Sequence, residues 1–167
     1  MIAAQAPGVT RAAVSWTFDV QAQRAAVSIY VGDDEAAVAA ASAAIAGVGD
    51  PNRPVSVLAA TPIQIDLECQ LVVAAAYQAS TVVDAATAAI SDPVAGLFSP
   101  ARMGIGQPLY RSAVLATLMV AGVSAVHDLQ LKIQQVPSTD EVLEPGADSF
   151  FMLAADAVTI QVVSASD

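Results

Sequence analysis

The predicted fold is centred on the stretch Phe98-Ser-Pro-Ala-Arg-Met-Gly-Ile-Gly-Gln-Pro-Leu-Tyr-Arg-Ser112. Its prolines and glycines leave no room for a regular element, so the stretch predicts a loop. Gln107-Pro108 predicts the start of a helix, because the missing N–H of proline costs little at the first helical position. The helix would end at Gly122. Its apolar face would carry four side chains: Val114, Leu115, Leu118 and Met119.

Two long strands are predicted on either side of this stretch. From 63 to 73 six apolar residues alternate with polar ones, which is typical of a strand with one buried face. Cys69 falls on the apolar face and is predicted to be a small buried hydrophobe, while Asp66 and Glu68 solvate the other face. From Val123 to Ile133 a similar alternation predicts a second strand, in which His127, the single histidine, lies among the inward positions.

Shorter elements fill the rest of the chain. A hairpin is predicted from residues 14–20 and 27–31, with Val14, Trp16, Phe18 and Val20 sharing the half-buried face of its first strand. Asp33-Asp34-Glu35 would cap a helix that places Val38, Ala41, Ile45 and Val48 on one face. Four further segments are a strand at 55–60, a helix at 79–90 ended by Asp92-Pro93, and strands at 150–153 and 158–162. Residues 134–148 are predicted to be a long connection.

This order of elements predicts an α+β fold in which antiparallel sheets carry helices packed on one face. Two small sheet-helix units are expected. Residues 1–60 would form a hairpin-helix-strand unit, and residues 61–167 a unit of strand, two helices and strands.

Charge and composition exclude several classes of partner. Six basic residues stand against sixteen acidic ones in 167 residues, a formal net charge of −10, and the basic residues are scattered. Binding to nucleic acid or to an anionic membrane needs a basic cluster, so neither is expected. No apolar run reaches the length of a transmembrane helix and the start does not resemble a signal peptide, so the chain is expected to be cytoplasmic at synthesis. A single cysteine excludes an internal disulfide.

The sequence offers no catalytic, cofactor-binding or metal-binding constellation, and we expect no enzyme and no small-molecule substrate. A nucleophilic pair would have to be Cys69 and His127, for which no third orienting residue stands out. Structural zinc needs about four Cys or His ligands, which are not present. Gly104-Ile-Gly106 lacks the Lys-Ser/Thr of a phosphate-binding loop and the third glycine of a dinucleotide fingerprint.

The sequence also shows a resemblance to a known family. The order aromatic-x-Pro, short loop, Gly106-Gln107-Pro108-Leu109-Tyr110, helix, Gly-Val and strand resembles the C-terminal part of baseplate J-like proteins. The resemblance is strongest from 54 to 163 and weaker from 7 to 31. Glu144-Pro145-Gly146 followed by Ala157-Val158-Thr159-Ile160 is similar to the family's acidic Pro-Gly loop and closing strands. The family's Pro-Gly-Val after the helix is Ala121-Gly122-Val123 here, and family members are usually much longer.

The resemblance implies a structural subunit in the baseplate of a contractile phage tail or a related injection machine. Its partners would be other wedge and hub subunits, or copies of itself, in a virion or a phage-tail-like particle. Four residues on or beside the loop would be protein contacts: Arg102, Gln107, Tyr110 and Arg111. The connection 134–148 would contribute a second contact surface.

Two alternatives stay open at this point. The segment 106–110 could merely pack its own helix against the sheet. The chain could also be a small-molecule-binding or regulatory α+β domain with a pocket between helices and sheet, a role for which fold-level analogy is the only support.

Overall fold

A computed structural model describes residues 2–20, 23–32, 34–47 and 55–164. The α+β class is confirmed, since the described residues form three α-helices together with mixed and antiparallel sheets. The chain groups into two compact units. The first contains Met1–Pro62, Gly104–Gln107 and Pro145–Phe150, and the second contains Ile63–Met103, Pro108–Glu144 and Phe151–Asp167. Whether residues 1–60 and 61–167 are separate domains stays a prediction.

The first unit is built on a three-stranded sheet. Its elements are a 3-10 helix (Ile2–Gln5), β1 (Ala12–Asp19), β2 (Arg24–Val31), α1 (Glu35–Ala46) and β3 (Val55–Ala59). The strand order is β1-β2-β3. The predicted hairpin is confirmed by the antiparallel pairing of β1 and β2. However, β2 and β3 are parallel, so the sheet is mixed and not purely antiparallel as predicted. A helical crossover such as α1 returns the chain to the same end of a sheet, which makes the next strand parallel.

Helix α1 covers the centre of this sheet. Its N-cap is Asp34, whose Oδ1 accepts a hydrogen bond from the backbone N–H of Ala37 at 2.6 Å, which confirms the predicted cap. Ala41 is fully buried and packs in one cluster with Ile29 and Val31 of β2. Asp33 lies outside the described residues, as do residues 48–54, which include Val48 and most of the predicted exit loop.

The apolar side chains of β1 are far more exposed than the predicted half-buried strand requires. Val14 lies opposite Ile29 in the ladder, so these side chains are on the face that α1 covers. The exposed fractions are nevertheless 50% for Val14, 72% for Trp16, 55% for Phe18 and 71% for Val20. The parity was predicted correctly, but the predicted burial is wrong, because the packed cluster reaches β2 and β3 and leaves these side chains of the edge strand open.

The remaining elements are β4 (Thr61–Val73), α2 (Ala79–Ser91), β5 (Leu109–Tyr110), α3 (Arg111–Leu118), β6 (Val123–Ile133), β7 (Val136–Ser138), β8 (Val142–Leu143) and β9 (Ser149–Ser164). They belong to the second unit, except for the first two residues of β4 and of β9, which belong to the first. One sheet has the order β7-β6-β4-β9, and β5 and β8 form a separate ribbon. The longest helix in the described part of the chain has 13 residues, and none there is long and apolar enough to cross a membrane.

The core of this unit lies on one face of the four-stranded sheet. Ile65, Leu67 and Leu71 of β4 are completely buried, and they belong to one cluster with Ile90 of α2 and Leu118 of α3. This confirms the alternation predicted for β4. On the opposite face Glu68 forms an ion pair with Lys132, its diagonal neighbour on β6. Asp66 Oδ2 accepts a hydrogen bond from Gln135 Nε2 at 2.7 Å.

The helix after the loop begins later than predicted. Pro108 is not its first residue; Leu109 and Tyr110 are extended instead and pair with Leu143 and Val142. Pairing with β8 therefore outweighs the local preference of Gln107-Pro108 for starting a helix. The helix also ends early: it runs over Arg111–Leu118, so Met119 is its C-cap and is 49% exposed, not buried.

The C-terminal region contains more strand than predicted. The segment 134–148 is not a plain connection, because it includes β7 and β8. Gln134 and Gln135 have φ of 49° and 70°, which lets the chain fold back so that β7 pairs with β6. The two predicted strands at 150–153 and 158–162 are parts of the single strand β9, in which Asp156 has φ of 55°.

Candidate protein-contact surface

Tyr110 and Val142 form an exposed apolar pair on the ribbon of β5 and β8. They lie directly opposite each other in the ladder, so their side chains share one side of it. Tyr110 is 49% exposed and Val142 is 40% exposed. On the other side Leu109 and Leu143 are almost completely buried. The ribbon is thus anchored by its inner pair while it presents its outer pair.

Arg111, which directly follows Tyr110, forms hydrogen bonds to other residues of the second unit. Its guanidinium donates from Nη1 to the carbonyl of Leu129 at 2.5 Å and from Nη2 to the carbonyl of Ser138 at 3.0 Å. Its backbone N–H donates to the carbonyl of Glu141 at 3.0 Å. The half-buried side chain therefore links the start of α3 to β6 and β7 and stabilises the base of the ribbon.

Arg102 is exposed on the loop that follows α2. Its Nη1 lies 3.5 Å from the carbonyl oxygen of Ala95, which is long for a hydrogen bond. The same loop is ordered by Asp92, whose Oδ1 accepts bonds from the N–H groups of Val94 and Ala95 at 2.8 and 2.7 Å. These bonds, with Ala95 the larger contribution, lower the pKa of Asp92. The guanidinium of Arg102 is accessible to a partner.

Gln107 belongs to the first unit, and its side chain forms a hydrogen bond within its own loop. Its Oε1 accepts a hydrogen bond from the N–H of Gly104 at 2.9 Å. Gly106 has φ of 73°, and its N–H donates to the carbonyl of Ser149 at 2.8 Å. These hydrogen bonds support the alternative in which segment 106–110 contacts its own chain and not a partner. Of the four predicted contact residues, Arg102, Gln107 and Tyr110 are exposed, and the side chain of Gln107 is held by its bond to Gly104.

Val142 was not singled out in the sequence. It lies within the predicted connection 134–148. The strand β8 has only two residues, too few to show the alternation of apolar and polar side chains by which a strand is recognised. The segment also exposes Val136, at 66%, on β7. The pairing of β8 with β5 is what brings Val142 beside Tyr110, and this pairing joins residues more than thirty positions apart.

His127 and Cys69 are on different faces of the four-stranded sheet. Glu68 is opposite Gln130, but Gln70 is opposite His127, so β6 carries one extra residue in this interval. The extra residue forms a bulge at Asp128, which has φ of 50°. The bulge reverses the parity of β6, and His127 is exposed beside the polar residues of β4. The prediction that His127 lies inward is therefore wrong.

Cys69 is buried as predicted, with 4% of its surface exposed. Burial removes water from the thiolate and raises the pKa of the thiol to about 11. A thiol with this pKa is almost entirely protonated at neutral pH. With His127 on the other face, the nucleophilic pair that the sequence offered is not formed.

A polar groove of about 250 Å³ lies on the open face of the four-stranded sheet; it is lined by Glu68, Cys69, Gln70, Asp128, Gln130, Thr159 and Gln161. Small-molecule pockets usually measure about 300–1,000 Å³ and are mostly apolar, so this groove does not match one. A second groove, of about 470 Å³, falls within that range of volumes; it is lined by Arg111, Leu129, Gln130, Pro137, Ser138, Thr139 and Glu141. Within the described ranges no three His, Cys, Asp or Glu side chains are grouped to hold a metal ion.

No protein-family model and no curated protein matches the chain.

Proposed function

We propose that this chain is a structural subunit of the baseplate of a contractile tail or injection machine. It would join neighbouring wedge and hub subunits through surface contacts and assemble into a virion or phage-tail-like particle. The sequence support is the resemblance around Gly106-Gln107-Pro108-Leu109-Tyr110 to baseplate J-like proteins.

The exposed pair of Tyr110 and Val142 carries the proposal. An aromatic side chain on a rigid ribbon can enter a partner's pocket with little loss of conformational entropy, and such residues are enriched at the centres of interfaces. The buried pair of Leu109 and Leu143 and the bonds of Arg111 stabilise the ribbon beneath it. Arg102, which is exposed nearby in the sequence, would add a polar contact.

A non-catalytic role is part of the same proposal. It is supported by the buried, protonated thiol of Cys69 and by the exposed position of His127 on the opposite face. A small-molecule-binding or regulatory role remains the alternative. The polar groove is smaller and more polar than ligand pockets usually are, whereas the groove of about 470 Å³ beside Arg111 has the volume of a ligand site and is the feature that favours that role.

The test begins with purification of tail-like particles from cells that express the chain, followed by peptide mass spectrometry of the particle fraction. The chain should co-migrate with sheath and tube proteins. The substitution Tyr110→Ser should lower its incorporation by about tenfold, because interface aromatics commonly contribute more than about 1 kcal/mol. Val162→Ser is the matched control, since Val162 is exposed on β9 of the same unit, outside the loop 98–112 and the segment 134–148, and should leave incorporation unchanged.

Presence of the chain only in the low-mass fraction, in cells that contain particles, would reject the structural role. In that event a specific rise in melting temperature with one member of a metabolite library would support the alternative.

A further inference from the structure

The free edge and the exposed face of β1 lie together on one strand. In the described part of the chain β1 is an edge of the three-stranded sheet, and its pairing is with β2 alone. Its side chains Val14, Trp16 and Phe18, with Val20 just beyond its end, are 50–72% exposed on one face. Open strand edges with apolar side chains are templates for pairing with another strand, and soluble proteins usually protect them.

The backbone groups at this edge belong to the same residues. In an antiparallel ladder, hydrogen-bonded pairs alternate with pairs that form no bond to each other. Gly32 N–H donates to Arg11 O at 3.1 Å, so the pair 11 and 32 is hydrogen-bonded. Counting along the register, Val14, Trp16 and Phe18 fall in the other kind of pair. Their N–H and C=O groups therefore point away from β2, toward the open edge.

We propose that β1 pairs with β1 of a second copy of this chain, in antiparallel orientation, across a two-fold axis at Trp16. Trp16 would then lie opposite Trp16 of the second copy, and Val14 opposite its Phe18. The two apolar faces would become one continuous face.

The exposed area bears on the strength of this dimer. The four apolar side chains expose about 450 Å² in each copy, on the order of 100–180 Å² from each aromatic residue. Pairing edge to edge would bury the backbone strips and the facing flanks of these side chains and leave their outward surfaces open, so the buried area would be less than about 1,000 Å². We therefore expect a weak, reversible dimer with a dissociation constant on the order of micromolar or weaker. The inference concerns a different unit from the Tyr110 ribbon and does not depend on the proposed function.

The first experiment is sedimentation velocity of the full chain across concentrations, in about 0.15 M salt, which reduces the repulsion between two acidic copies. The wild type should pass from monomer to dimer as its concentration rises. Trp16→Lys and the milder Trp16→Thr should each raise the dissociation constant by about tenfold or more. Val94→Lys, at a side chain 78% exposed in a loop, is the matched control and should leave it unchanged. Circular dichroism checks that each variant is folded.

A second experiment tests the register with Val14→Cys and Phe18→Cys. Mixed together and oxidised, the two variants should form a disulfide-linked heterodimer, because the proposed register places these positions about 5 Å apart. Neither variant alone should cross-link efficiently, since Val14 and Val14 of the second copy would be about 14 Å apart.

Three outcomes would overturn the proposal: a chain that is monomeric at all concentrations, a dimer that Trp16→Lys does not weaken, or a dimer that cross-links through Val14→Cys alone. A monomeric chain that instead binds a purified wedge or hub subunit in a Trp16-dependent manner would assign this face to a different partner.

Discussion

Arg111 donates a hydrogen bond from Nη1 to the carbonyl oxygen of Leu129, 18 residues further along the chain, at a distance of 2.5 Å. A second bond, from Nη2, reaches the carbonyl of Ser138. One guanidinium thus holds together the start of α3, the strand β6 and the strand β7. This relationship gives Arg111 a role within the fold, whatever partner the neighbouring Tyr110 contacts.

We predict that Arg111→Lys lowers the free energy of unfolding by about 1–3 kcal/mol. A lysine ammonium lacks the planar fork that reaches both carbonyls, and hydrogen bonds to charged donors contribute about 1.5–3 kcal/mol. Urea unfolding measures the change. Arg102→Lys is the matched control, because Arg102 is exposed with one long bond and should change stability by less than about 0.5 kcal/mol. Equal midpoints for the two variants would contradict the structural role of Arg111.

Gly122→Ala should be destabilising by about 2–3 kcal/mol. Gly122 has φ of 97°, and a Cβ there would lie 2.8 Å from ring atoms of Tyr77 and from Val82. The expected fall in melting temperature is about 4–12 °C for a chain of this size. Gly47→Ala is the control: its φ is −71°, and an added Cβ would meet nothing nearer than 3.7 Å. A Gly122→Ala protein as stable as the control would show that the close approach of Tyr77 is not restrictive.

Cys69 should resist alkylation in the folded protein at neutral pH. With its pKa raised to about 11, only about one thiol in ten thousand is ionised, and burial blocks the reagent as well. Iodoacetamide labelling followed by intact mass measures the rate. The variant Val94→Cys adds an exposed thiol and should be labelled once, quickly, with the second label appearing only in urea. Rapid double labelling without denaturant would contradict the buried position.

Asp92 should make folding stability depend on pH in the acidic range. Its pKa is lowered from the ordinary 3.8 in the folded state, so the unfolded state takes up protons first as the pH falls. The stabilisation is therefore complete above 3.8 and is lost as the pH falls through the lower folded value. Asp92→Ala should be less stable than wild type at neutral pH, with the difference shrinking in acid. An NMR titration showing the Asp92 carboxyl at or above its ordinary pKa would contradict this.

Several features of the fold could be read from local sequence because their causes are local. Strict alternation placed Ile65, Leu67 and Leu71 on one face of β4, and the burial of that face follows from it. Asp34 was predicted as a cap, since a carboxylate before an alanine-rich run can accept hydrogen bonds from the free N–H groups of the first turn. The hairpin of β1 and β2 needed only two alternating runs and a short turn.

The candidate contact surface was only partly predictable. Tyr110 was singled out from its position in the loop, and it is exposed. Gln107 and Arg111 were chosen for the same reason, yet both bond to the protein itself. A polar side chain in a loop has the same local sequence whether it turns to a backbone carbonyl or to solvent, so residue type could not separate these roles.

By itself, the sequence determined the α+β class, the cap of α1, and the faces of β1 and β4, because neighbours within a few residues decide side-chain parity and capping. Tertiary structure decided the face of His127, since one extra residue at Asp128 in the register between β6 and β4 reverses the parity. It also decided that Leu109 and Tyr110 form a strand, since β8 supplies their hydrogen-bond partners from a distant part of the chain. Whether an apolar face is covered or open, as at Trp16, depends on what packs beside the strand, and alternation cannot encode that.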